Sequence, residues 1–163
     1  MQRFVGFVYQ DVRLHCPQGQ PESIEISVQA HGGIRGRCSR CQRPSPGYDR
    51  LPERRWLFVP LWGIPAWFCY APRRVECAGH GVIVEYIPWS DGKRPVTTAM
   101  MGFLARWARR LSWRETARAF QTSGEAVYRS VEWFVEFGLE HRELGGVESI
   151  GVDEIHWGTR PAG

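Results

Sequence analysis

Cys38-Ser39-Arg40-Cys41 and Cys77-Ala78-Gly79-His80 are the two stretches that decide the fold of this 163-residue chain. Each stretch has two candidate metal ligands separated by two residues, and 35 residues lie between Cys41 and Cys77. Three thiolates and one imidazole match the ligand set of a closed tetrahedral zinc site. The spacing therefore predicts a structural Zn²⁺ ion bound by Cys38, Cys41, Cys77 and His80, which would hold a small β-ribbon together.

A disulfide framework is the alternative for these cysteines. The chain has five cysteines, an odd number, and its N-terminal apolar segment is too short for a secretory signal. Both features favour metal binding in a cytoplasmic protein. Cys69 lies in the apolar run at 67–70, which predicts a buried thiol. Cys16 has no assigned role, and His15 and His31 are less favoured alternative ligands.

Charge is distributed unevenly along the sequence. Residues 1–118 contain 18 Lys and Arg against 9 Asp and Glu, whereas residues 119–163 contain 3 against 8. The excess is almost entirely arginine, which forms bidentate hydrogen bonds with phosphates and guanine edges. This asymmetry predicts a polyanionic partner for the first part, with a solvated basic surface as the alternative. No apolar run approaches the ~18 residues of a membrane span, so no membrane partner is expected.

Alternating and aromatic segments predict β-structure before Pro88. Ile24, Ile26 and Val28 alternate with polar residues, as in a half-buried strand. Further strands are predicted at 4–9, at 56–59 and 67–70 as two strands of a ribbon, and at 82–87, with a turn at 44–47. Residues 89–95 predict a loop and the main domain boundary.

From Thr97 onward the apolar residues repeat with a helical period. The face predicted to be buried consists of Met100, Leu104, Trp107, Ala108 and Leu111. Two capping-box patterns follow, at Ser112-x-x-Glu115 and Thr122-x-x-Glu125. They predict a helix of about two turns, a tight turn and a longer helix through Phe137, which is the spacing of a helix-turn-helix.

The longer helix is predicted to bury Val127, Val131 and Phe134. An ordinary three-helix bundle is the alternative, because the face left exposed on this helix is not basic. Five upstream arginines favour DNA binding, since phosphate contacts can come from the preceding helices. The predicted DNA-contacting residues are Arg106, Arg109, Arg110, Arg114, Arg118, Ser123, Tyr128 and Arg129.

Near the C-terminus, the apolar run Ile150-Gly151-Val152 precedes the adjacent carboxylates Asp153 and Glu154. A carboxylate at the end of a strand can hold a divalent metal ion for phosphoryl transfer, and a surface turn is the alternative. No Asp or Glu follows Glu154 in this sequence. A two-metal site would need further carboxylates.

In this order, these segments resemble the N-terminal part of insertion-sequence transposases of the ISL-three family. The resemblance covers residues 35–158, and its matching stretches are Cys38-Ser-Arg-Cys41, Gly47-Tyr-Asp-Arg-Leu-Pro52, Val59-Pro-Leu-Trp-Gly63, Ala71-Pro-Arg-Arg-Val75, Val84 to Arg94, Arg109-Arg-Leu-Ser-Trp113 and Ile150-Gly-Val-Asp-Glu154. It implies a zinc-binding domain, a helix-turn-helix for terminal inverted repeats, and the start of an RNase H-like DDE catalytic domain.

Residue by residue, the resemblance matches Cys38, Cys41 and Cys77 to zinc ligands and Asp153 to the first catalytic carboxylate. His80 stands at the fourth ligand position, which is often cysteine in the family. The second Asp and the final Glu of the catalytic set are missing, and Mg²⁺ would act only in an intact catalytic domain. Gly124 is a smaller departure, which weakens the first turn of the recognition helix by up to ~1 kcal/mol.

The predicted fold class is α+β, with N-terminal strands (1–34), a zinc-binding ribbon (35–92), a three-helix helix-turn-helix domain (93–142) and a stub of the catalytic domain (143–163). The implied function is the DNA-binding portion of a transposase, catalytically incomplete as given. The implied partner is double-stranded DNA with terminal inverted repeats, with a second copy of the chain as an option. A stand-alone zinc and helix-turn-helix regulator is the main alternative, and a structural domain that binds no nucleic acid is the third.

Overall fold

The computed structural model describes residues 4–17 and 22–142, so the predicted catalytic stub lies outside the described residues. Strands come first along the chain and helices follow, which confirms the α+β prediction. The elements are β1 (Phe7–His15), β2 (Ser23–Ala30), β3 (Gly47–Arg50), β4 (Arg54–Leu61), β5 (Ile64–Tyr70), β6 (Arg73–Cys77), β7 (Gly81–Val84), α1 (Thr98–Trp107), α2 (Trp113–Ala119) and α3 (Gly124–Glu140).

The larger sheet has four strands in the order β1-β2-β5-β4. β2 runs parallel to β5, with Ile24 opposite Ala66, and the other two pairs are antiparallel. The alternation predicted for β2 is confirmed, since Ile24, Ile26 and Val28 are buried. β4 and β5 form the predicted hairpin, but it joins β2 in the larger sheet and lies in a different sheet from β6 and β7. The apolar residues of the hairpin pack with those of β2 in one core.

An aromatic cluster centred on Trp89 covers the core face of this sheet. The Trp89 side chain is 1% exposed, and its ring centroid lies 4.9 Å from Phe7, 5.6 Å from Tyr70 and 5.8 Å from Phe68. All three contacts are edge-to-face, a favourable geometry for aromatic pairs. Residues 89–95 lie in a loop, as predicted, but Trp89 makes that loop part of the sheet's core.

The β4–β5 hairpin turns through Trp62 and Gly63, both of which have positive φ, at 52° and 79°. Leu61 pairs with Ile64, so the loop has two residues. Two-residue loops with two positive φ angles favour Asn-Gly, because a tryptophan is strained in the left-handed region. Trp62 is 91% exposed and therefore gains little from packing in return.

Replacing Trp62 with asparagine is therefore expected to stabilise the protein, by about 0.5–1 kcal/mol. Urea denaturation of the variant and the parent would measure the difference in the free energy of unfolding. As a control, Trp56→Asn removes a fully buried tryptophan from the same hairpin and should strongly destabilise the protein. A Trp62→Asn variant less stable than the parent would contradict the strain argument.

The smaller sheet has three antiparallel strands in the order β3-β6-β7. β3 and β6 were not predicted as strands, because β3 is short and exposed throughout and neither shows a clear apolar alternation. β7 ends at Val84, earlier than the predicted end at residue 87. Beyond it, the Glu85 N–H donates to the Arg73 carbonyl at 2.9 Å, and Glu85 forms an isolated bridge with Cys38.

The helices begin at capping residues. Thr97 caps α1, and Ser112 and Glu115 form the predicted capping box of α2. α3 is capped by Ser123, whose hydroxyl accepts a hydrogen bond from the Ala126 N–H at 3.1 Å. The capping box predicted at Thr122 is therefore wrong by one residue, because the serine next to it provides the cap.

Burial along the helices agrees with the predicted faces only in part. Val127 is buried as predicted, but Phe134 is 50% exposed and Trp107 is also exposed. Trp133 packs against the helical core instead of Phe134. α3 has 17 residues, whereas α1 has 10 and α2 has 7, so the second half of α3 extends beyond the described helices that could cover it.

The helices dock on β4 through the backbone and through a shared core. The Leu57 N–H donates to the Pro95 carbonyl at 2.9 Å, and the Thr97 N–H donates to the Leu57 carbonyl at 3.0 Å. The Leu57 side chain is buried with Val96, Met100 and other residues of the helical core. The edge of the larger sheet thus positions α1. None of the helices in the described ranges combines the length and apolar character needed to cross a membrane.

Candidate metal centre and basic surfaces

The structure brings the four predicted metal ligands together, and their ligand atoms all lie within 4.8 Å of one another. His80 Nδ1 lies 3.5 Å from both Cys38 Sγ and Cys77 Sγ, and Cys41 Sγ lies 3.6 Å from Cys77 Sγ. Sulfurs about 2.3 Å from a tetrahedral zinc ion would be about 3.8 Å apart. A disulfide would need about 2.05 Å, and all five cysteines are free. The cluster could therefore hold a metal ion such as zinc.

Two tight backbone turns aim the ligands at one point. In the first, the Gln42 N–H donates to the Cys38 carbonyl at 2.8 Å, and Gln42 has a φ of 56°. In the second, the His80 N–H donates to the Cys77 carbonyl at 3.1 Å, and Gly81 follows with a φ of 64°. Each left-handed residue reverses the chain directly after the second ligand of its pair.

The thiols of the cluster differ in acidity. Hydrogen bonds from the Gly79 N–H and then from the His80 ring lower the pKa of Cys77 to about 6. At Cys41 the Arg43 N–H favours the thiolate, but desolvation and the neighbouring thiols outweigh it and raise the pKa. Thiols this close to one another cannot all ionise without a cation between them. A cation bound among the three thiols would favour their ionised forms.

Glu85 connects the metal-binding segment to both sheets. Its carboxylate is almost completely buried and accepts hydrogen bonds from the backbone N–H and the Nε of Arg73, each at 2.8 Å. It also accepts the hydroxyl hydrogen of Tyr70. Tyr70 ends β5 and Arg73 begins β6, so one carboxylate links the two sheets. Burial, and then the neighbouring Glu85, raise the pKa of Tyr70, which keeps its hydroxyl protonated as a donor.

Gly36 allows the first ligand loop to approach this network. A Cβ atom at this position would lie 2.7 Å from Cγ1 of Val75 and 3.0 Å from Oε2 of Glu85, too close for either neighbour. Neither Gly36 nor Glu85 was predicted to have a role. The available signal was a single acidic residue inside the apolar run at 82–87, since a buried carboxylate requires partners.

The remaining cysteines and histidines lie outside the cluster. Cys69 is buried in β5, as predicted, whereas Cys16 is exposed. Nε2 of His15 lies 3.0 Å from a carboxylate oxygen of Glu25, and the His31 ring contacts the neighbouring Gly32 carbonyl. Neither histidine belongs to a group of candidate metal ligands in the described part of the chain.

Five arginines lie at the end of α1, in the turn after it and on α2. All five are exposed, and none forms an ion pair with another described residue. These residues are Arg106, Arg109, Arg110, Arg114 and Arg118. Their guanidinium groups are therefore available to an external anion.

The predicted contact residues of α3 are also exposed, but each has a local partner. Arg129 Nε lies 2.6 Å from a carboxylate oxygen of Glu125. The Tyr128 hydroxyl donates to Glu132 at 3.3 Å, and its ring packs 5.2 Å from that of Trp113. The Ser123 hydroxyl caps the helix. This face is therefore mixed in charge, and the excess positive charge of the helices lies on α1 and α2.

Comparison with known proteins relates the chain to transposases. It is 29% identical over 147 residues to a protein named "Transposase for insertion sequence element IS1557" from Mycobacterium tuberculosis, strain CDC 1551 / Oshkosh, and equally to its counterpart in strain H37Rv. Each match covers 85% of this chain and 32% of the relative, so the chain spans about a third of the length of the curated relatives it matches. No protein-family model and no solved structure matches the chain.

Proposed function

We propose that this chain is the DNA-binding portion of an insertion-sequence transposase of the ISL-three type, and that it recognises terminal inverted repeats. The similarity to curated transposases over 85% of the chain is the observation that carries the proposal. The Cys₃His cluster and the exposed arginines support it independently, because they provide a metal-stabilised scaffold and a surface for phosphates. Zinc is the metal we propose, since this ligand set suits it.

The proposed reading element is a helix-turn-helix made of α2 and α3. α2 ends at Ala119, and a four-residue turn at 120–123 leads into α3. Ala117 is buried, as a residue at the crossing of two helices should be. Gln121, in the turn, has a φ of 51°, the left-handed conformation for which many such turns use glycine. The spacing and the turn geometry are thus compatible with α3 as the recognition helix.

The proposed division of roles follows from the charges. Exposed, unpaired arginines of α1 and α2 would bind phosphates and set the position of the protein on the duplex. Ser123, Tyr128 and Arg129 would approach the groove from the first half of α3. Arg129 would exchange its bond with Glu125 for a bond to DNA, because surface ion pairs of this kind are worth less than about 1 kcal/mol.

The proposed catalytic residue is Asp153, which lies outside the described residues. In a DDE enzyme Asp153 and two further acids would hold two Mg²⁺ ions, which would supply activation of water or a 3′-hydroxyl and stabilisation of the leaving oxygen. Such a site needs two further acids, and the 163 residues contain no Asp or Glu after Glu154. We therefore expect this chain by itself to bind DNA without cleaving it.

Replacing Arg106, Arg109 and Arg110 together with glutamine tests the proposed phosphate contacts. Affinity for a duplex carrying the terminal repeat should fall, and the slope of log K against log salt should become shallower by about 3, since each lost phosphate contact removes about 0.9. Fluorescence anisotropy between about 50 and 200 mM salt would measure both quantities. Arg13→Gln is the matched control, because Arg13 is exposed but pairs with Asp11 on β1. An unchanged slope in the triple variant would contradict the proposal.

The alternative, a zinc and helix-turn-helix regulator without catalysis, would use the same described surfaces. The transposase proposal and the regulator alternative predict different reading frames beyond codon 163. A frame that continues to another Asp and a Glu, between inverted repeats, would support the transposase. A stop codon directly after Gly163 would support the regulator and leave Asp153 without partners.

A further inference from the structure

The loop that carries the first two metal ligands has a second property, which is an uncompensated positive charge. Arg35, Arg37, Arg40 and Arg43 are all exposed and lie within nine residues. The sequence has no acidic residue between Glu25 and Asp49. None of the four arginines forms an ion pair with any residue that the structure describes.

Three arginines of the sheets behave differently. Arg55 lies 2.9 Å from Glu25, Arg73 lies 2.7 Å from Glu85, and Arg74 pairs with Asp49. Those arginines are neutralised within the fold. A Zn²⁺ ion with three thiolates carries a charge of −1, so a metal-loaded loop would still have a net charge of about +3.

The backbone that presents these arginines is held at several points. The Arg37 carbonyl accepts a hydrogen bond from the Tyr86 N–H at 2.7 Å, and the Arg43 carbonyl accepts one from the Cys38 N–H at 3.0 Å. The Ser45 N–H donates to the Gly36 carbonyl at 2.9 Å. With the backbone fixed, binding an anion would have to order only the side chains, which lowers its entropic cost.

Further hydrogen-bond donors lie beside two of the arginines, Arg35 and Arg37. They line a cleft of about 470 Å³ together with Gln42 and Tyr86, and with Glu85, whose carboxylate is already bonded to Arg73; Tyr86 is 38% exposed. An amide, a phenol and guanidinium groups are the side chains that contact nucleic-acid phosphates and sugars. The loop has the donors needed to bind a phosphate backbone.

We propose that this surface, the knuckle surface (Arg35, Arg37, Arg40 and Arg43), is a second contact with double-stranded DNA. It would bind phosphates of the duplex and is formed by elements other than α1, α2 and α3. The inference rests on the proposed function, and it gives the metal centre a role in DNA binding beyond stabilising the ribbon. Two separate phosphate-binding surfaces would lengthen the protected stretch of duplex without adding base recognition.

The test is a quadruple variant, in which all four arginines of the knuckle surface are replaced with glutamine in the full, zinc-loaded chain. The probe is a random-sequence duplex of ~40 base pairs, bound at several salt concentrations. The slope of log K against log salt should become shallower by about 3–4, and affinity at low salt should fall at least about tenfold. A quadruple lysine variant keeps the charge and should retain most of the salt slope.

Zinc content and the melting temperature show whether the quadruple variant folds. If it does not fold, Arg40→Gln alone replaces an exposed side chain and should reduce the slope by about 1. A folded glutamine variant with parental slope and affinity would overturn the inference but not the proposed function, provided that the Arg106/Arg109/Arg110 variant still loses affinity. A parent chain without salt-dependent duplex binding would overturn both.

Discussion

Replacing Cys38 with serine is expected to abolish metal binding and to unfold the ribbon, the largest effect that we predict for one substitution. Structural zinc contributes roughly 10–16 kcal/mol of apparent binding free energy in small domains, and much of it is lost with one thiolate. The smaller sheet has few alternatives to the metal, since all of β3 is exposed and Val75 is the buried apolar residue at the centre of β6. Metal analysis and circular-dichroism melts would measure the loss.

Cys16→Ser is the matched control for this substitution, because Cys16 is exposed and lies outside the cluster. It should leave metal content and melting unchanged, whereas a chelator added to the parent chain should reproduce the Cys38→Ser melt. A Cys38→Ser protein with a parental melt, together with a parent chain that contains no metal, would show that the cluster does not stabilise the fold.

Replacing Glu85 with alanine is expected to lower the free energy of unfolding by about 3–5 kcal/mol, because it leaves the largely buried Arg73 without its carboxylate. It also removes the acceptor of the Tyr70 hydroxyl and so disconnects the two sheets. Urea denaturation would measure the change in the free energy of unfolding. Saturating zinc would keep the metal bound in both proteins, so that the change reports the loss of the Glu85 contacts alone. The effect should appear even though Glu85 is not a metal ligand.

Tyr70→Phe provides a graded comparison for the same network. It deletes one hydrogen bond to the carboxylate and keeps the ring, so a smaller loss of about 1.5–3 kcal/mol is expected. If Glu85→Ala instead cost less than about 1 kcal/mol, the buried pair would not hold the sheets together, and the network would have to be regarded as incidental.

The cluster of candidate metal ligands could be predicted because its signal is local in sequence. Each ligand pair has a fixed spacing, and soft ligands at that spacing have few other uses in a chain with an odd number of cysteines. The capping residues Ser112 and Glu115 were predictable for the same reason, since the motif spans four residues. Local chemistry of this kind does not depend on what the rest of the chain does.

Other features depend on long-range partners that the sequence does not display. β3 is held in place by its pairing with β6, which is distant along the chain. The residues of these two strands therefore show little of the apolar alternation that predicts a strand. The role of Gly36 depends on Val75 and Glu85, which are distant along the chain. Phe134 follows the helical period of Val127, but periodicity does not reveal where the covering helices end.

The proposed DNA-binding surfaces fall between these cases. The excess of arginine was visible in the sequence, but its distribution between paired and unpaired side chains was not. Arg55, Arg73 and Arg74 are occupied by carboxylates, whereas Arg109 and Arg40 form no ion pair among the described residues. An unpaired arginine can bind a DNA phosphate and release its counterions without first giving up a carboxylate partner.

The most direct test of this account is the affinity of the zinc-loaded chain for a duplex with the terminal inverted repeat, measured as a function of salt. We expect a log–log slope of about −6 or steeper, together with tighter binding to the repeat than to a scrambled duplex. Weak binding that is independent of salt would contradict it, and would leave a metal-stabilised structural domain that binds no nucleic acid.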